Sequence, residues 1–396
     1  MNKTAIFTIS SNNYFAFSKT VLQSVRKFRS EVDLFFLLVD ETVDDKIQSQ
    51  KNDFEICLAR DIGIAKYKQM AFAYNMVEFN TAVKPFFIQY LFQKGYQKVI
   101  YLDPDILVCN PLDLAMSALD DHALALTPHQ LSPVGNLDGF VPFLQWEQSA
   151  LLTGLFNLGF IGVANTDQGR DFIEWWCNRC TYMCFVDPEA GLFVDQKLVD
   201  LAVCFYSSIY IVRHKGYNMS VWNLHDRELR NGQVNGVEPL VFYHFSSIDM
   251  HDPDIISRHD TSLRLTDRQD LAELFRAYRQ TVQENGYDYF RSLPYSYDYF
   301  LDGRKINVLE RQLYASVSND YSDPFSTPSR QFMSVLRQKR RSMRKAGSRV
   351  NHAFFKRIAM SGMRMVFKLS GPERYIKITQ FMRGKDKLRG HAFLLD

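Results

Sequence analysis

The hydrophobic pattern of the first half of the chain alternates between two periods. Ala5–Ile9 reads as a short strand, and Phe17–Phe28 carries helical spacing at Phe17, Val21, Val25 and Phe28. Leu34–Val39 is an unbroken apolar run that ends in Asp40, the form of a strand buried on both faces. Lys66–Leu91 has helical spacing over much of its length, with Pro85 opening a new helix. Val99–Leu102 and Ala123–Leu126 are the next strands. Apolar strands alternating with helices predict an α/β domain, with a mostly parallel sheet covered by helices. Ligands of such sheets bind beyond the carboxyl ends of the strands.

The second half is less regular. Pro128–Leu152 contains Pro128, Pro133, Gly135, Gly139 and Pro142, and reads as a long loop over the cleft. Phe156–Val163 predicts a strand, Asp167–Arg179 a helix and Asp195–Leu201 a short helix, with later strands at Ile209–Val212 and Leu240–His244. Beyond Asp260 the pattern is helical and polar, clearest over Leu271–Asn285. Pro294–Tyr299 and Asn319–Ser329 read as linkers.

Composition changes this picture in two places. The net charge of +3 over 396 residues hides a split, because Ser329–Asp396 carries +15 and the remainder −12. Six cysteines are present, and only Cys177 and Cys180, with Cys184 nearby, approach a metal spacing. No second pair or neighbouring histidines complete a zinc site, so they are expected to be reduced packing residues of a helix. Aromatic content of 14% suits cores, sugar clefts and membrane interfaces alike. The amino terminus turns polar too early for a signal peptide, and no apolar stretch approaches a membrane span. A cytoplasmic body is expected.

The chemistry centres on Asp103-Pro104-Asp105. The triplet alone is a weak pattern, but it comes directly after a predicted buried strand, so both carboxylates emerge at the ligand-binding edge. Hard divalent cations such as Mg²⁺ or Mn²⁺ take one or two carboxylates together with substrate phosphates. The plain alternative is a pair of solvated turn aspartates. The first strand ends in Thr8-Ile9-Ser10-Ser11-Asn12-Asn13-Tyr14, whose small polar groups can bond a nucleobase and ribose or can cap a helix. Lys84, near a helix start, can meet an anion or lie on the surface.

The ordered motifs resemble retaining glycosyltransferases of the GT-A fold, closest to family 8, the group of bacterial lipooligosaccharide galactosyltransferases and glycogenin. They are Thr8–Asn12, Thr81–Phe86, Tyr101–Leu107, Phe156–Phe160, Asp195–Lys197, Gly216–Asn218 and Tyr243–Phe245, over roughly residues 3 to 250. The resemblance is nearer still to bacterial members linked to surface polysaccharide synthesis (O-antigen, capsule or lipooligosaccharide). Together with the periodicity and the charge split, it gives an expected GT-A domain over 1–260, a helical extension and linker over 261–328, and a basic tail over 329–396.

It also implies roles. His244 joins Asp103 and Asp105 as a metal ligand for Mn²⁺ or Mg²⁺. A lone histidine is otherwise more often a hydrogen-bonded core residue. Thr8, Ser10, Asn12 and Asp61 line the uridine site, and Lys84 meets the diphosphate or donor sugar. Asp195 and Gln196 lie beside the anomeric carbon, where a polar oxygen stabilises developing positive charge; each is also a plausible helix-start residue. Asn157 meets donor or acceptor sugar, and Gly216, Tyr217 and Asn218 shape the acceptor side. Trp146, Trp222 and His225 can stack on or bond sugars, or simply pack. The family's usual glycine soon after the His-Phe is replaced here by Ser246-Ser247-Ile248-Asp249.

The implied reaction moves a hexose, galactose or glucose by default, from a UDP-sugar to a glycan or lipid-linked oligosaccharide, with retention. The basic tail interleaves Lys339-Arg340-Arg341 and Arg344-Lys345 with Phe354-Phe355 and Met365-Val366-Phe367, which suits an amphipathic helix on an anionic membrane. That places the enzyme on the inner face of the cytoplasmic membrane. Single-stranded RNA binding is a competing reading of the tail, but no nucleic acid is the expected partner. Two other classes remain: a sugar nucleotidyltransferase, which should carry a glycine-rich basic loop after the first strand, and a non-catalytic scaffold working through the tail.

Overall fold

The computed structural model describes residues 3–50, 52–134, 144–314, 323–326, 332, 334, 365–375 and 377. Most of the basic segment 329–396 therefore lies outside the described residues. So does the middle of the expected loop, 135–143. The chain divides into two compact units, Met1–Ala65 with Met76–Ser296, and Lys66–Asn75 with Tyr297–Asp396.

The first unit is built on a seven-stranded sheet. Its strands are β1 (Thr4–Ser10), β2 (Asp33–Leu38), β3 (Glu55–Leu58), β4 (Lys98–Leu102), β6 (Leu124–Pro128), β7 (Phe156–Ala164) and β8 (Ile209–Ile211), in the order β8-β6-β7-β4-β1-β2-β3. β1, β2, β3 and β4 run parallel, and β8 runs parallel to β6, whereas β7 is antiparallel to both β4 and β6. This is the mostly parallel, Rossmann-like α/β architecture expected from the sequence. β3 was not evident in the pattern, because it is a short edge strand with an exposed glutamate at its start.

Strand periodicity separates the two faces. Ile6 and Phe36 join the core cluster with α1 (Phe15–Arg26), where Phe15 and Phe36 stand 5.1 Å apart. Phe7 and Phe35 point the other way, against Phe87, at 5.0 and 6.0 Å. Burying a phenylalanine side chain stabilises by roughly 1.5–3 kcal/mol, so each face of β1 and β2 is strongly specified. The region expected to be helical over Lys66–Leu91 is three helices, α2 (Tyr67–Ala73), α3 (Met76–Ala82) and α4 (Lys84–Gln93). Extended backbone at Tyr74 ends α2, and Pro85 sits in the first turn of α4. Further helices include α5 (Asp113–Asp121), α6 (Leu144–Thr153), α7 (Asp167–Met183), α8 (Gln196–Val199) and α9 (Ala272–Glu284).

The long-loop expectation for Pro128–Leu152 needs correction at its end, where α6 forms and stops at Gly154. Its apolar spacing is weak because the helix serves a cavity wall more than a core. α9 contributes Phe275, Tyr278 and Val282 to the same core as α1. Cys177 and Cys180 are buried on α7, Cys184 is buried just beyond it, and the six cysteines are thiols outside any disulfide. Among the described residues no helix is long and apolar enough to cross a membrane.

Two small ladders complete the site's frame. β5 (Ile106–Val108) pairs antiparallel with β9 (Phe242–His244), with Ile106 opposite His244. β10 (Ile255–Ser257) and β11 (Asp260–Arg264) form a hairpin.

The second unit packs Phe72 of α2 against Phe300, Tyr314 and Phe332. Arg311, 5% exposed on α10 (Val308–Tyr314), donates to the carbonyls of Ala71, Phe72 and Tyr74 at the end of α2, to that of Tyr297, and to Asp298. A cation there satisfies orphan helix carbonyls and the helix dipole together. Arg311→Ala strands these acceptors in the interior and is expected to lower the stability of this unit by about 3 kcal/mol. Urea unfolding with native-state proteolysis within residues 297–314 measures it; an unchanged midpoint and cleavage rate would contradict this role.

Candidate active site

The parallel strands end together, and the residues just beyond them collect at one edge of the sheet. Ser10 closes β1 and Asn12 lies just past it, Asp40 lies past β2, and Asp103 comes directly after β4. β7 runs the opposite way, so its first residues, Phe156 and Asn157, reach the same edge. Asp103 is tied there by its own N–H to the Gly159 carbonyl at 2.7 Å. The turn through Pro104 is closed by Ile106 N–H on the Asp103 carbonyl, 3.2 Å. β5 then runs beside β9, and Phe245 N–H reaches the Asp105 carbonyl at 2.8 Å. This ladder brings His244 to the aspartates across 139 residues of sequence.

His244 Nε2 stands 3.2 Å from Asp105 Oδ1 and 3.6 Å from Asp103 Oδ2. One ligand atom from each of the three residues falls within 4.8 Å of the others. The imidazole is 3% exposed. Its Nδ1 lies 3.1 Å from Asn157 Oδ1, which also accepts the Gly159 N–H at 3.2 Å. The backbone amide fixes Asn157 with its oxygen towards the ring, so Nδ1 donates and a neutral His244 turns a bare Nε2 lone pair on two carboxylates. Such a triad calls for a cation.

Charge and burial act on each member. Burial pushes the Asp103 carboxyl above its ordinary value, against the pull of Lys84 and His244. Burial pushes the His244 imidazole down, but the Asp105 and Asp103 carboxylates outweigh it and leave it raised. Tyr101 Oη donates to Asp103 Oδ1 at 2.5 Å, and burial together with the Asp103 charge holds this phenol well above its usual range. With no cation between them, these groups compete for a proton.

A second charged pair lies beside the first. Lys84 Nζ is 2.7 Å from Asp195 Oδ2, donates to the Leu158 carbonyl at 2.8 Å and lies 4.2 Å from the Tyr101 ring centroid. Lys84 is 1% exposed, so it is not a surface lysine, and its charge is committed to Asp195. Burial raises the Asp195 carboxyl while Lys84 opposes the rise. Val194, just before it, has φ of 44°, a left-handed conformation that a β-branched residue adopts only under constraint.

Gln196 is held at both ends of its amide. Its oxygen accepts the Leu158 N–H at 3.1 Å, and its nitrogen donates to the Thr153 carbonyl at 3.0 Å. Gln196 and Asn157 line a cavity of about 430 Å³ with His129, Trp146, Trp222, Phe193, Ser246 and His259, among others. Trp222 meets His244 edge-on at 5.2 Å, so the cavity adjoins the metal-capable cluster. Burial lowers His129 to about 4, which keeps it neutral in this wall. Asp195 does not appear among the lining side chains.

The other expected residues have more local roles. Thr8 is fully buried, and Ser10 Oγ pairs with Ser18 Oγ at 2.8 Å. Asn12 makes two local contacts: its N–H donates to Asp40 Oδ2 and its Nδ2 to the Thr42 carbonyl, both at 2.8 Å. Asp61 sits on an exposed turn after β3, 3.6 Å from Arg60. A side chain on Gly216 would collide with the Pro239 carbonyl, and Tyr217 packs on Phe160 and Phe242 with its hydroxyl accepting the Ala115 N–H. Asn218 is fully buried at φ 54°. His225 Nε2 lies 3.2 Å from the Ser132 carbonyl. Sequence reasoning passed over Tyr101, His129 and His259. Tyr101 alone had a signal, two residues before Asp103 on the same strand.

Gly159 is the residue on which this packing is tightest. A Cβ there would stand 2.7 Å from His244 Nδ1 and 2.8 Å from Asn157 Oδ1. Gly159→Ala is therefore expected to displace the imidazole, destabilise the fold by about 1–3 kcal/mol and lower Mn²⁺ affinity roughly tenfold or more. Thermal unfolding and paramagnetic titration with Mn²⁺ check both; unchanged metal affinity would show that His244 does not depend on this contact.

No protein-family model matches the chain. It is 24% identical over 293 residues to the Bacillus subtilis uncharacterized protein YfnF, spanning 70% of this chain and 91% of that one. With the B. subtilis uncharacterized protein YfnD it shares 26% over 180 residues, 44% of this chain and 54% of that one. Among solved structures it is similar to the galactosyltransferase LgtC in complex with donor and acceptor sugar analogues, with 16% identity, 70% of this chain and 95% of that chain covered, and a TM-score of 0.43. The glycosyltransferase GlyE of Streptococcus pneumoniae gives 16% identity, 76% and 67% coverage and a TM-score of 0.41. At these values the likeness carries no argument about this chain, and the reading of the site rests on its own geometry.

Proposed function

We propose that this protein is a metal-dependent glycosyltransferase that moves a hexose from a UDP-sugar to a glycan or glycolipid hydroxyl, with retention. The observation that carries the reading is the convergence of Asp103, Asp105 and His244 within 4.8 Å at the carboxyl edge of the sheet. Two carboxylate oxygens and one imidazole nitrogen fit a divalent cation such as Mn²⁺, which tolerates a mixed O/N set. When bound there, the cation neutralises charge that builds on the departing diphosphate.

The chain's own groups do the rest. Asp103 and Asp105 would hold that cation with their carboxylates, and through it the diphosphate end of the donor. Asn157 holds His244 in the tautomer that leaves Nε2 free to ligate. Gln196 presents a fixed amide to the cavity, where its dipole can stabilise positive charge at the anomeric carbon. Asp195 acts from behind, through its buried pair with Lys84, as a source of negative potential close to the same place. The donor hexose and the acceptor hydroxyl share the cavity between Trp146 and Trp222, whose rings offer apolar faces for sugar stacking. Galactose or glucose is the default donor, on resemblance alone. The basic segment would hold the enzyme at an anionic membrane, near a lipid-linked acceptor.

Purified protein screened against a panel of UDP-sugars should release UDP with Mn²⁺ and not with chelator. Asp103→Asn and Asp105→Asn are each expected to reduce that release at least about a hundredfold, and NMR of the product should show a retained anomer. Release that persists in chelator or in both variants refutes the reading. Deletion of 329–396 should abolish co-sedimentation with phosphatidylserine-containing vesicles; binding that survives the deletion removes the tail from the proposal.

A further inference from the structure

The hairpin β10–β11 turns through two residues, Arg258 and His259, with Ser257 opposite Asp260. Two-residue hairpin turns favour Asn-Gly or Gly-containing pairs, because the matching backbone needs positive φ. Neither Arg258 nor His259 has positive φ, so turn chemistry does not account for them. The tip is stapled to the segment just beyond His244. Ser257 Oγ donates to the Ser246 carbonyl at 2.8 Å, and Arg258 N–H donates to the Ser247 carbonyl at 3.0 Å. Ser247 itself is held at φ 56° to make this approach.

Both side chains share the electrostatic field of the metal-capable cluster. His259 lines the cavity together with Ser246, Asn157 and Trp222. Burial pushes its imidazole down, while the Asp105 carboxylate pulls it up. Burial raises the Tyr14 phenol first, the Asp105 and Asp103 charges raise it further, and Arg258 draws it back. Arg258 and the two aspartates thus act on one phenol.

Charge accounting then singles out Arg258. A divalent cation is matched by Asp103 and Asp105, so a diphosphate brings negative charge that the cluster leaves unmatched. Lys84 is committed to Asp195. Arg264 pairs with Asp252 and Asp254, Arg268 with Asp270, and Arg279 is filled by backbone carbonyls. Among the described residues the Arg258 guanidinium has no ion pair and no hydrogen bond. A planar guanidinium matches phosphate oxygens in a fork.

We propose that Arg258 and His259 form a diphosphate-binding clamp on the nucleotide donor. This rests on the nucleotide-sugar reading above. Here the loop after His244 supplies shape, and the hairpin docked on it supplies the charge and the N–H donor.

Isothermal titration with Mn²⁺·UDP, Mn²⁺·pyrophosphate and uridine tests it in the full chain. Arg258→Gln and His259→Gln should each weaken Mn²⁺·UDP and Mn²⁺·pyrophosphate about tenfold. Uridine and Mn²⁺ alone should bind unchanged, and Arg258→Gln should flatten the salt dependence. Arg258→Lys should recover only part of the loss. The tip is exposed, so thermal unfolding of the variants should match the parent. Diphosphate affinities within about twofold of the parent overturn the clamp; if UDP release still depends on Asp103 and Asp105, the transferase reading stands without it. A parent protein that binds neither UDP nor pyrophosphate with metal overturns both.

Discussion

Two carboxylates and an imidazole lone pair converge at the edge of a sheet, in a region where burial already penalises charge. Such a cluster is unfavourable unless a cation, a proton or a divalent metal, sits among its members. Much of the first unit serves to maintain this convergence. β4 delivers Asp103, the Pro104 turn redirects the chain, and the β5–β9 ladder holds His244 opposite Ile106. Gly159 gives up a side chain so that Asn157 and His244 can close in. The reversed direction of β7 has a purpose in this frame: it brings Asn157, at the start of that strand, to an edge otherwise made of strand ends.

Beside the cluster, the Lys84–Asp195 pair is a contrasting solution to buried charge. Both side chains are almost fully buried, and the pair is reinforced by the Leu158 carbonyl and the Tyr101 ring. Breaking either partner would leave an uncompensated interior charge. Its position beside Gln196 links it to the cavity without exposing it. The strain at Val194 fits the same picture, since the chain enters α8 in a conformation that only surrounding contacts can hold.

The hairpin beyond β9 is fixed by backbone carbonyls of the segment that follows His244. Ser246 and Ser247 contribute carbonyls that dock the turn, and His259 of that turn lines the cavity beside the cluster. The segments that meet at this site are far apart in the chain, and each is short. Precision comes from backbone hydrogen bonds between them rather than from any one continuous element.

Much of this was legible from the amino-acid order. Apolar runs in β1, β2 and β4, and helical spacing in α1 and α7, define an α/β sheet because strand burial and helix amphipathicity leave periodic marks. The aspartate pair was visible because it stands directly after such a run. The short edge strand β3, the helix α6 and the breaks within Lys66–Leu91 were not, since brief or half-exposed elements leave little periodicity. Sequence could also rank Lys84 as either anion-binding or superficial. The structure decided that it is interior and paired, because only the packed fold determines which water a side chain loses. His244, Asn157, Gln196 and His259 acquire their relation to one another the same way. Their proximity depends on long-range strand pairing, and no local pattern encodes a contact between residues that the chain itself keeps apart.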